Sequence, residues 1–263
     1  MVPDVKSQST GLVGVLPAAG NATRLGTLPC SKEILPVGIE PGSSGAPRVR
    51  VAIDCALEAF RAAGIRRVVI VLTPEKSDIR RYLGDGADRG MDFDYQEVVN
   101  SPSSAWSVSA ARPAVGDANT ALAFPDIQFR PENAIRTLAD ARSSRSPDLS
   151  LALVPSLRGE KVDLVEADEQ GVVSKIRIKP GPGQQGWTWV AAVWGPRFGR
   201  FLADAVSEAK EEGAERHVGD YINAAMDAGL DVDAVRFPAG TALDIGTHGD
   251  LAHAWAQNGA TDS

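Results

Sequence analysis

The chain predicts an α/β fold, a mixed but mostly parallel sheet flanked by helices. Two observations carry this. Short apolar runs alternate with amphipathic stretches from residue 12 to residue 99, the order that lays strands side by side with helices over both faces. The run RRVVIVL at residues 66–72 is continuously apolar and β-branched after its first two residues, as in strands covered on both sides. The composition also suits a globular domain. With 263 residues, 43% hydrophobic and 23% charged, the chain can bury a substantial core.

Composition narrows the function classes. Formal charge is 27 − 34 = −7, which disfavours a nucleic-acid binder. A small phosphorylated ligand stays compatible, because charge at the site matters more than the total. Two cysteines, Cys30 and Cys55, cannot build a disulfide framework, which fits a reducing cytoplasm. No apolar run approaches transmembrane length, and MVPDVKSQST lacks a signal-peptide pattern. The expectation is a cytoplasmic protein with no membrane partner; a homo-oligomer is left open.

The elements follow in order. Residues 1–10 are polar and expected to fray. Residues 12–16 form a first strand, followed by a small-residue turn at Ala18, Ala19 and Gly20. Small residues let backbone N–H groups approach an anion, and Arg24 and Lys32 bring fixed positive charge to the same place. Such a loop suits a nucleoside triphosphate. A second apolar run, 34–37, leads into the Gly-, Pro- and Ser-rich stretch 38–50, which reads as a loop. Residues 51–63 are amphipathic at helical spacing and stop at Gly64. A strand at 66–72 precedes a short helix at 74–83, whose Lys76, Arg80 and Arg81 read as a solvated face. Residues 93–99 form a further strand.

A Ser-rich turn then precedes a helix at about 106–111. The apolar strand ALAF delivers Asp126 just past its end. Residues 140–149 read as a polar loop and 149–154 as a strand. VDLV and VVSKIRI flank the acidic turn EADEQG, a hairpin. Residues 181–186 are a loop, and WTWVAAVW is a strand with Trp187, Trp189 and Trp194. Helices at 198–212 and 218–228, a strand at 231–237 and a helix after residue 247 complete the chain. The alternation places a ligand site at the carboxyl ends of the strands.

Several motifs, in order, resemble the sugar-1-phosphate nucleotidyltransferases, the NDP-sugar pyrophosphorylases. PAAG-x-x-TRL followed by SKEILPV is similar to their opening signature, with Ala22 in place of the second glycine of G-x-G. Asp126 matches the aspartate of their G-D motif, with Pro125 for the glycine. Ile178-Lys179-Pro180 resembles E-K-P with the glutamate lost. Ala242-Leu243-Asp244-Ile245-Gly246-Thr247 resembles W-x-D-(I/T)-G-T. In the base-reading stretch, Val99 stands for a glutamine and Ser104 for a glycine. The segment GIRRVVIVLTPEKSDIRRYLGDGADRGM resembles the same family.

The resemblance spans about residues 11–254. It implies a single Rossmann-like nucleotidyltransferase domain of the GT-A-like type, with an NTP-binding part over about 11–130 and an acceptor-binding part over about 131–254. With the chain ending soon after its last helix, no appended β-helix domain is expected. The implied reaction transfers NMP from an NTP to a sugar-1-phosphate and releases pyrophosphate. The implied catalytic residues are Arg24 and Lys32, with Ala18, Ala19, Gly20, Asn21, Ala22, Thr23 and Ser104 binding nucleotide. Lys179 and Thr188 would bind the acceptor, and Asp126 and Asp244 would hold Mg²⁺. His217, His248 and His253 need no role. Losing a glutamate at Ile178 and gaining tryptophans implies an acceptor pocket poor in hydroxyl contacts, suited to a less polar sugar. Two other readings remain: a transferase for another phosphomonoester such as phosphocholine, and a nucleotide-binding regulator without catalysis.

Overall fold

The computed structural model describes residues 11–20, 23–41, 46–212 and 216–258. The first strand, β1 (Val13–Pro17), is wholly buried. Its alternate residues enter two cores: Leu12 and Leu16 face one layer, Val13 and Val15 the other. Gly14 has no room for a side chain, since an added Cβ would lie 3.0 Å from the Phe60 ring.

Two strands follow, β2 (Pro36–Pro41) and β3 (Pro47–Val51), then helix α1 (Asp54–Ala62) and strand β4 (Arg67–Leu72). The expected loop at 38–50 is therefore an antiparallel hairpin. Charge pairs hold its sides: Arg48 and Arg50 both meet Glu40, and Arg50 also reaches Glu58. The α1 helix begins at Asp54, three residues later than the amphipathic pattern suggests. Asp54 accepts a hydrogen bond from the Val51 N–H at 2.9 Å, and Arg89 meets its other oxygen at 2.7 Å.

Helix α2 (Ser77–Leu83), strand β5 (Asp92–Glu97), helices α3 (Ser104–Ala110) and α4 (Arg112–Val115), and strands β6 (Thr120–Ala123) and β7 (Ile127–Arg130) complete the first half. Helix α5 (Ala134–Arg145) occupies much of the expected polar loop at 140–149. Its buried side chains are only Ala134, Ile135 and Leu138, a stripe too narrow to show through the surrounding serines and charges. Then come β8 (Leu149–Ser156), β9 (Leu164–Ala167), β10 (Val173–Arg177), β11 (Gly186–Trp194), α6 (Pro196–Glu212), α7 (Val218–Asp227), β12 (Val232–Arg236), β13 (Thr241–Asp244) and α8 (His248–Asn258).

The main sheet runs β12-β8-β11-β6-β1-β4-β5, with β9 and β10 continuing from the start of β11. Pairs β12/β8, β6/β1, β1/β4 and β4/β5 are parallel, and β11 alone in that row runs against its neighbours. Helices α1, α2 and α5 cover one face; α3, α6 and α7 cover the other. The chain moves outward from β1 to β4 and β5, then returns to β6 on the opposite side of β1. The loops after β1 and β6 therefore diverge at a reversal of strand order, where such sheets open a crevice.

Candidate active site

At that crevice β1 delivers Ala18, Ala19 and Gly20. The Ala18 N–H donates to the carbonyl of Val71 at 2.7 Å, and both alanine side chains are buried, one in each core. The first amide of the turn thus ties the loop to β4 and is not free for a ligand. Gly20 is exposed. Asn21 and Ala22 lie outside the described residues, and Thr23 opens a 3-10 turn, Thr23–Leu25.

Four side chains from distant parts of the sequence meet beyond the ends of β1, β6 and β13. Lys32 starts a second 3-10 turn, Lys32–Ile34, and its Nζ lies 2.5 Å from Asp126 Oδ2. Arg24, with an exposed side chain, places Nη2 3.8 Å from Asp244 Oδ2. Asp126 and Asp244 are brought side by side by a two-stranded ribbon in which Asp244 is the register partner of Ile127. The Ile245 N–H closes the ribbon by donating to the Asp126 carbonyl at 2.9 Å. Gly246 lies directly against the guanidinium: an added Cβ would sit 2.7 Å from Arg24 Nη2.

The electrostatics show how tightly this group is coupled. Burial works to lower the Lys32 ammonium's pKa, but the charge and hydrogen bond of Asp126 raise it, helped by Glu33 and Asp244. Burial pushes the Asp244 carboxyl up, the Asp126 charge adds to this, and Lys32 and Arg24 oppose it. The two carboxylates repel each other and are held together by two cations. Either a divalent cation or an anionic ligand could enter by exchanging partners with this set. Two carboxylates also suit Mg²⁺, which keeps several non-protein ligands and draws others from substrate phosphates. No cluster of three or more metal-binding side chains exists among the described residues.

The turn carrying Lys32 rests on contacts that sequence reading missed. Lys76 is not solvated: its side chain is 12% exposed and its Nζ lies 2.6 Å from Oε1 of Glu33, itself 1% exposed. Burial pushes Glu33 up in pKa against the pull of Lys76 and Lys32. Ser31 donates to Asp78 through both its backbone N–H and its hydroxyl, each at 2.7 Å. Lys76 and Asp78, at the start of α2, therefore hold the Lys32 turn through its neighbours Glu33 and Ser31. A buried glutamate next to an invited lysine gives no periodic signal in sequence.

The remaining predicted residues are more dispersed. Ser104 is the exposed first residue of α3, capped by Ser103, whose hydroxyl accepts from the Trp106 N–H at 3.2 Å. Val99 is 92% exposed beside it. Thr188 is buried in β11 and shares a small pocket with Asp244, Trp189, Arg158 and Lys161. Lys179 is exposed, in the left-handed region at φ +38°. Burial pushes the carboxyl of Asp163, which the sequence reading did not single out, up in pKa. Asp250, also unflagged, is met by Lys161 at 3.0 Å, Arg158 at 3.2 Å and the Thr247 hydroxyl at 2.6 Å. Burial works upward on its pKa, but the bonds from Thr247, Lys161 and Arg158 hold it low.

Comparison with known proteins follows this geometry. A family model described as nucleotidyl transferase matches residues 13–260. A glucose-1-phosphate thymidylyltransferase of Neisseria meningitidis is 26% identical over 177 residues, 66% of this chain and 58% of that protein. A low-salt glycan biosynthesis nucleotidyltransferase of Haloferax volcanii is 23% identical over 225 residues, 84% of this chain and 59% of that protein. The chain thus spans less than two thirds of the length of these curated relatives. Among solved structures, a UDP-glucose pyrophosphorylase complexed with UDP-glucose superposes with a TM-score of 0.72 at 16% identity, covering 92% of this chain and 96% of that one. A Bacillus anthracis protein assigned as a glucose-1-phosphate thymidylyltransferase and solved with sucrose gives 0.79 at 19% identity, covering 96% of each chain.

Proposed function

The chain belongs to the nucleotidyl transferase family, and from that premise we propose that it transfers NMP from an NTP to a sugar-1-phosphate, releasing pyrophosphate and forming an NDP-sugar. The observation that carries this is the meeting of Arg24, Lys32, Asp126 and Asp244 at one crevice. Relatives named as glucose-1-phosphate thymidylyltransferases support a sugar-1-phosphate as acceptor.

In this reading an oxygen of the acceptor phosphate attacks the α-phosphorus of the NTP. The bond from that phosphorus to the bridging oxygen breaks, and pyrophosphate leaves with the electron pair. The nucleophile is already ionised, so no general base is needed. The barrier is the approach of two anions, and positioning with electrostatic stabilisation lowers it. Lys32 stands by the α-phosphate, Arg24 neutralises charge on the departing pyrophosphate, and Lys179 holds the acceptor phosphate. Ser104 and the turn at Ala18, Ala19 and Gly20 border the nucleoside, and Thr188 borders the acceptor. Mg²⁺ held by Asp126 and Asp244 would supply charge neutralisation for the phosphoryl groups. The half over about 11–130 would serve the NTP and the half over about 131–254 the acceptor.

A pyrophosphate-release assay over a panel of NTPs and phosphomonoesters tests the reading. Release with at least one sugar-1-phosphate, dependent on NTP and Mg²⁺, is the expected outcome. Release only with phosphocholine or a polyol phosphate would move the protein to another acceptor class. Nucleotide binding without release from any acceptor would make it a regulator.

A further inference from the structure

We propose that Arg158 and Lys161 form an anion-binding position beside Asp244, so that the preferred sugar-1-phosphate carries a second acidic group, a carboxylate or a phosphate, besides the phosphate that attacks. This rests on the reaction proposed above. Both side chains line the small pocket that also holds Asp244 and Thr188. Their charged ends converge on one carboxylate. Lys161 Nζ lies 3.0 Å from each oxygen of Asp250, and Arg158 Nη1 lies 3.2 Å from its Oδ1. The carboxylate is at the back and the cations are in front: the Asp250 side chain is 6% exposed, against 25% for Lys161 and 47% for Arg158. A ligand entering from solvent therefore meets positive charge first.

The donors of this pair outnumber its acceptors. An ammonium has three N–H donors and a guanidinium five. Asp250 takes two bonds from Lys161 and one from Arg158, and the Thr247 hydroxyl also donates to it at 2.6 Å. Arg158 Nε lies 3.9 Å from Glu160, beyond hydrogen-bond length. Donors of both cations thus remain for a ligand. The turn that carries them is fixed in place. The Lys161 N–H donates to the Arg158 carbonyl at 2.9 Å, the Gly159 N–H to the Gln184 carbonyl at 3.0 Å, and the Gly181 N–H to the Gly159 carbonyl at 3.3 Å. A Cβ added to Gly159 would lie 2.8 Å from the Gln184 carbonyl oxygen, so the turn is pressed onto the loop that follows Lys179. The proposed reaction gives Arg24 and Lys32 to the NTP and Lys179 to the acceptor phosphate, and leaves Arg158 and Lys161 without a role. Two like charges held side by side at a pocket attract an anion, and charge-assisted hydrogen bonds would read it.

A comparison of acceptors tests this. Wild type, Arg158→Ala, Arg158→Lys and Lys161→Gln are assayed with glucose-1-phosphate, glucuronic acid 1-phosphate and glucose 1,6-bisphosphate, at saturating NTP and Mg²⁺. Wild type should favour one of the two acidic acceptors over glucose-1-phosphate by about tenfold or more in kcat/KM, because only an acidic group satisfies the waiting donors. Which of the two is favoured tells a carboxylate from a phosphate. Arg158→Ala should shrink the preference to within about threefold, through the acceptor KM, and leave the KM for NTP unchanged. Arg158→Lys should restore part of the preference, and Lys161→Gln should reduce it as Arg158→Ala does. If Lys161→Gln does not fold, the two Arg158 variants decide, since Lys161 still holds Asp250 in both. A wild type that uses glucose-1-phosphate as well as either acidic acceptor overturns the assignment alone. An Arg158→Ala protein with the wild-type preference overturns it too. Equal weakening of NTP and of every acceptor would mark the pair as a brace for Asp250 and overturn it as well. A wild type active with no sugar-1-phosphate, acidic or neutral, overturns the proposed reaction, and this assignment with it.

Discussion

Arg24 and Lys32 sit eight residues apart in one loop, yet each faces a different carboxylate. That division predicts different losses on substitution. On the proposed reaction, Arg24→Ala would remove a charge-assisted contact to pyrophosphate and should cost about 2–4 kcal/mol of transition-state stabilisation with every NTP alike; steady-state kinetics across the four NTPs checks it, and a base-dependent loss would count against a phosphate role. Asp126→Ala and Asp244→Ala should each lower turnover by about a hundredfold or more while circular dichroism stays native. Acid should weaken Mg²⁺ activation early. The Asp244 carboxyl is raised by burial and by Asp126, so protons compete with the cation from above the usual carboxylate value of about 3.9. Activation by Mg²⁺ measured between neutral pH and pH 5 should show the half-saturating concentration rising as pH falls. The four residues of this cluster could be singled out because each stands in a motif that resembles those of a known family. Glu33 and Lys76 could not, since their pairing arises from burial and joins residues 43 positions apart. The Ala18 amide was misread for a similar reason: only the sheet shows that Val71 uses it.

At the scale of elements, the strands were the clearest part of the sequence. VVIVL, residues 68–72 of β4, is apolar throughout because both faces are covered. The hairpin of β2 and β3 was hidden by prolines at its ends and by charged residues that pair across it. Helix α5 was hidden by its thin apolar stripe. Helix α2 makes a testable scaffold. Lys76→Ala leaves the Glu33 carboxylate buried beside a single remaining cation, and breaking a buried pair from one side costs about 3–5 kcal/mol; urea unfolding reads this directly, and a change below about 0.5 kcal/mol would mean the pair is dispensable. The start of α8 makes another. Asp250 is capped by Thr247 and gripped by Lys161 and Arg158. Its pKa is depressed in the folded protein, so its contribution is full above the unfolded value of about 3.9 and is lost as pH falls through the lower folded value. Asp250→Asn should lower the melting temperature at neutral pH, and calorimetry should show the gap to wild type closing as the medium becomes strongly acidic.

For the whole molecule, the decisive strand is β11. It belongs to the second half of the sequence but pairs with β6 of the first half on one edge and with β8 on the other. The two halves therefore share one sheet, and unfolding should be a single cooperative transition in which fluorescence and far-UV dichroism coincide; two separated transitions would show independent halves. The sheet order itself could not be read from the sequence, because apolar runs announce strands without naming their neighbours. The ribbon of β7 and β13 has a consequence in time. Asp126 and Asp244 are 244 − 126 = 118 positions apart, and they become neighbours only when β13 arrives to pair with β7. At about 5–20 residues per second of synthesis, the second carboxylate is added about 6 to 24 s after the first. Throughout that interval the emerging polypeptide carries one of the two carboxylates proposed to hold the cation. The ribbon is thus the clasp that brings the two carboxylates together.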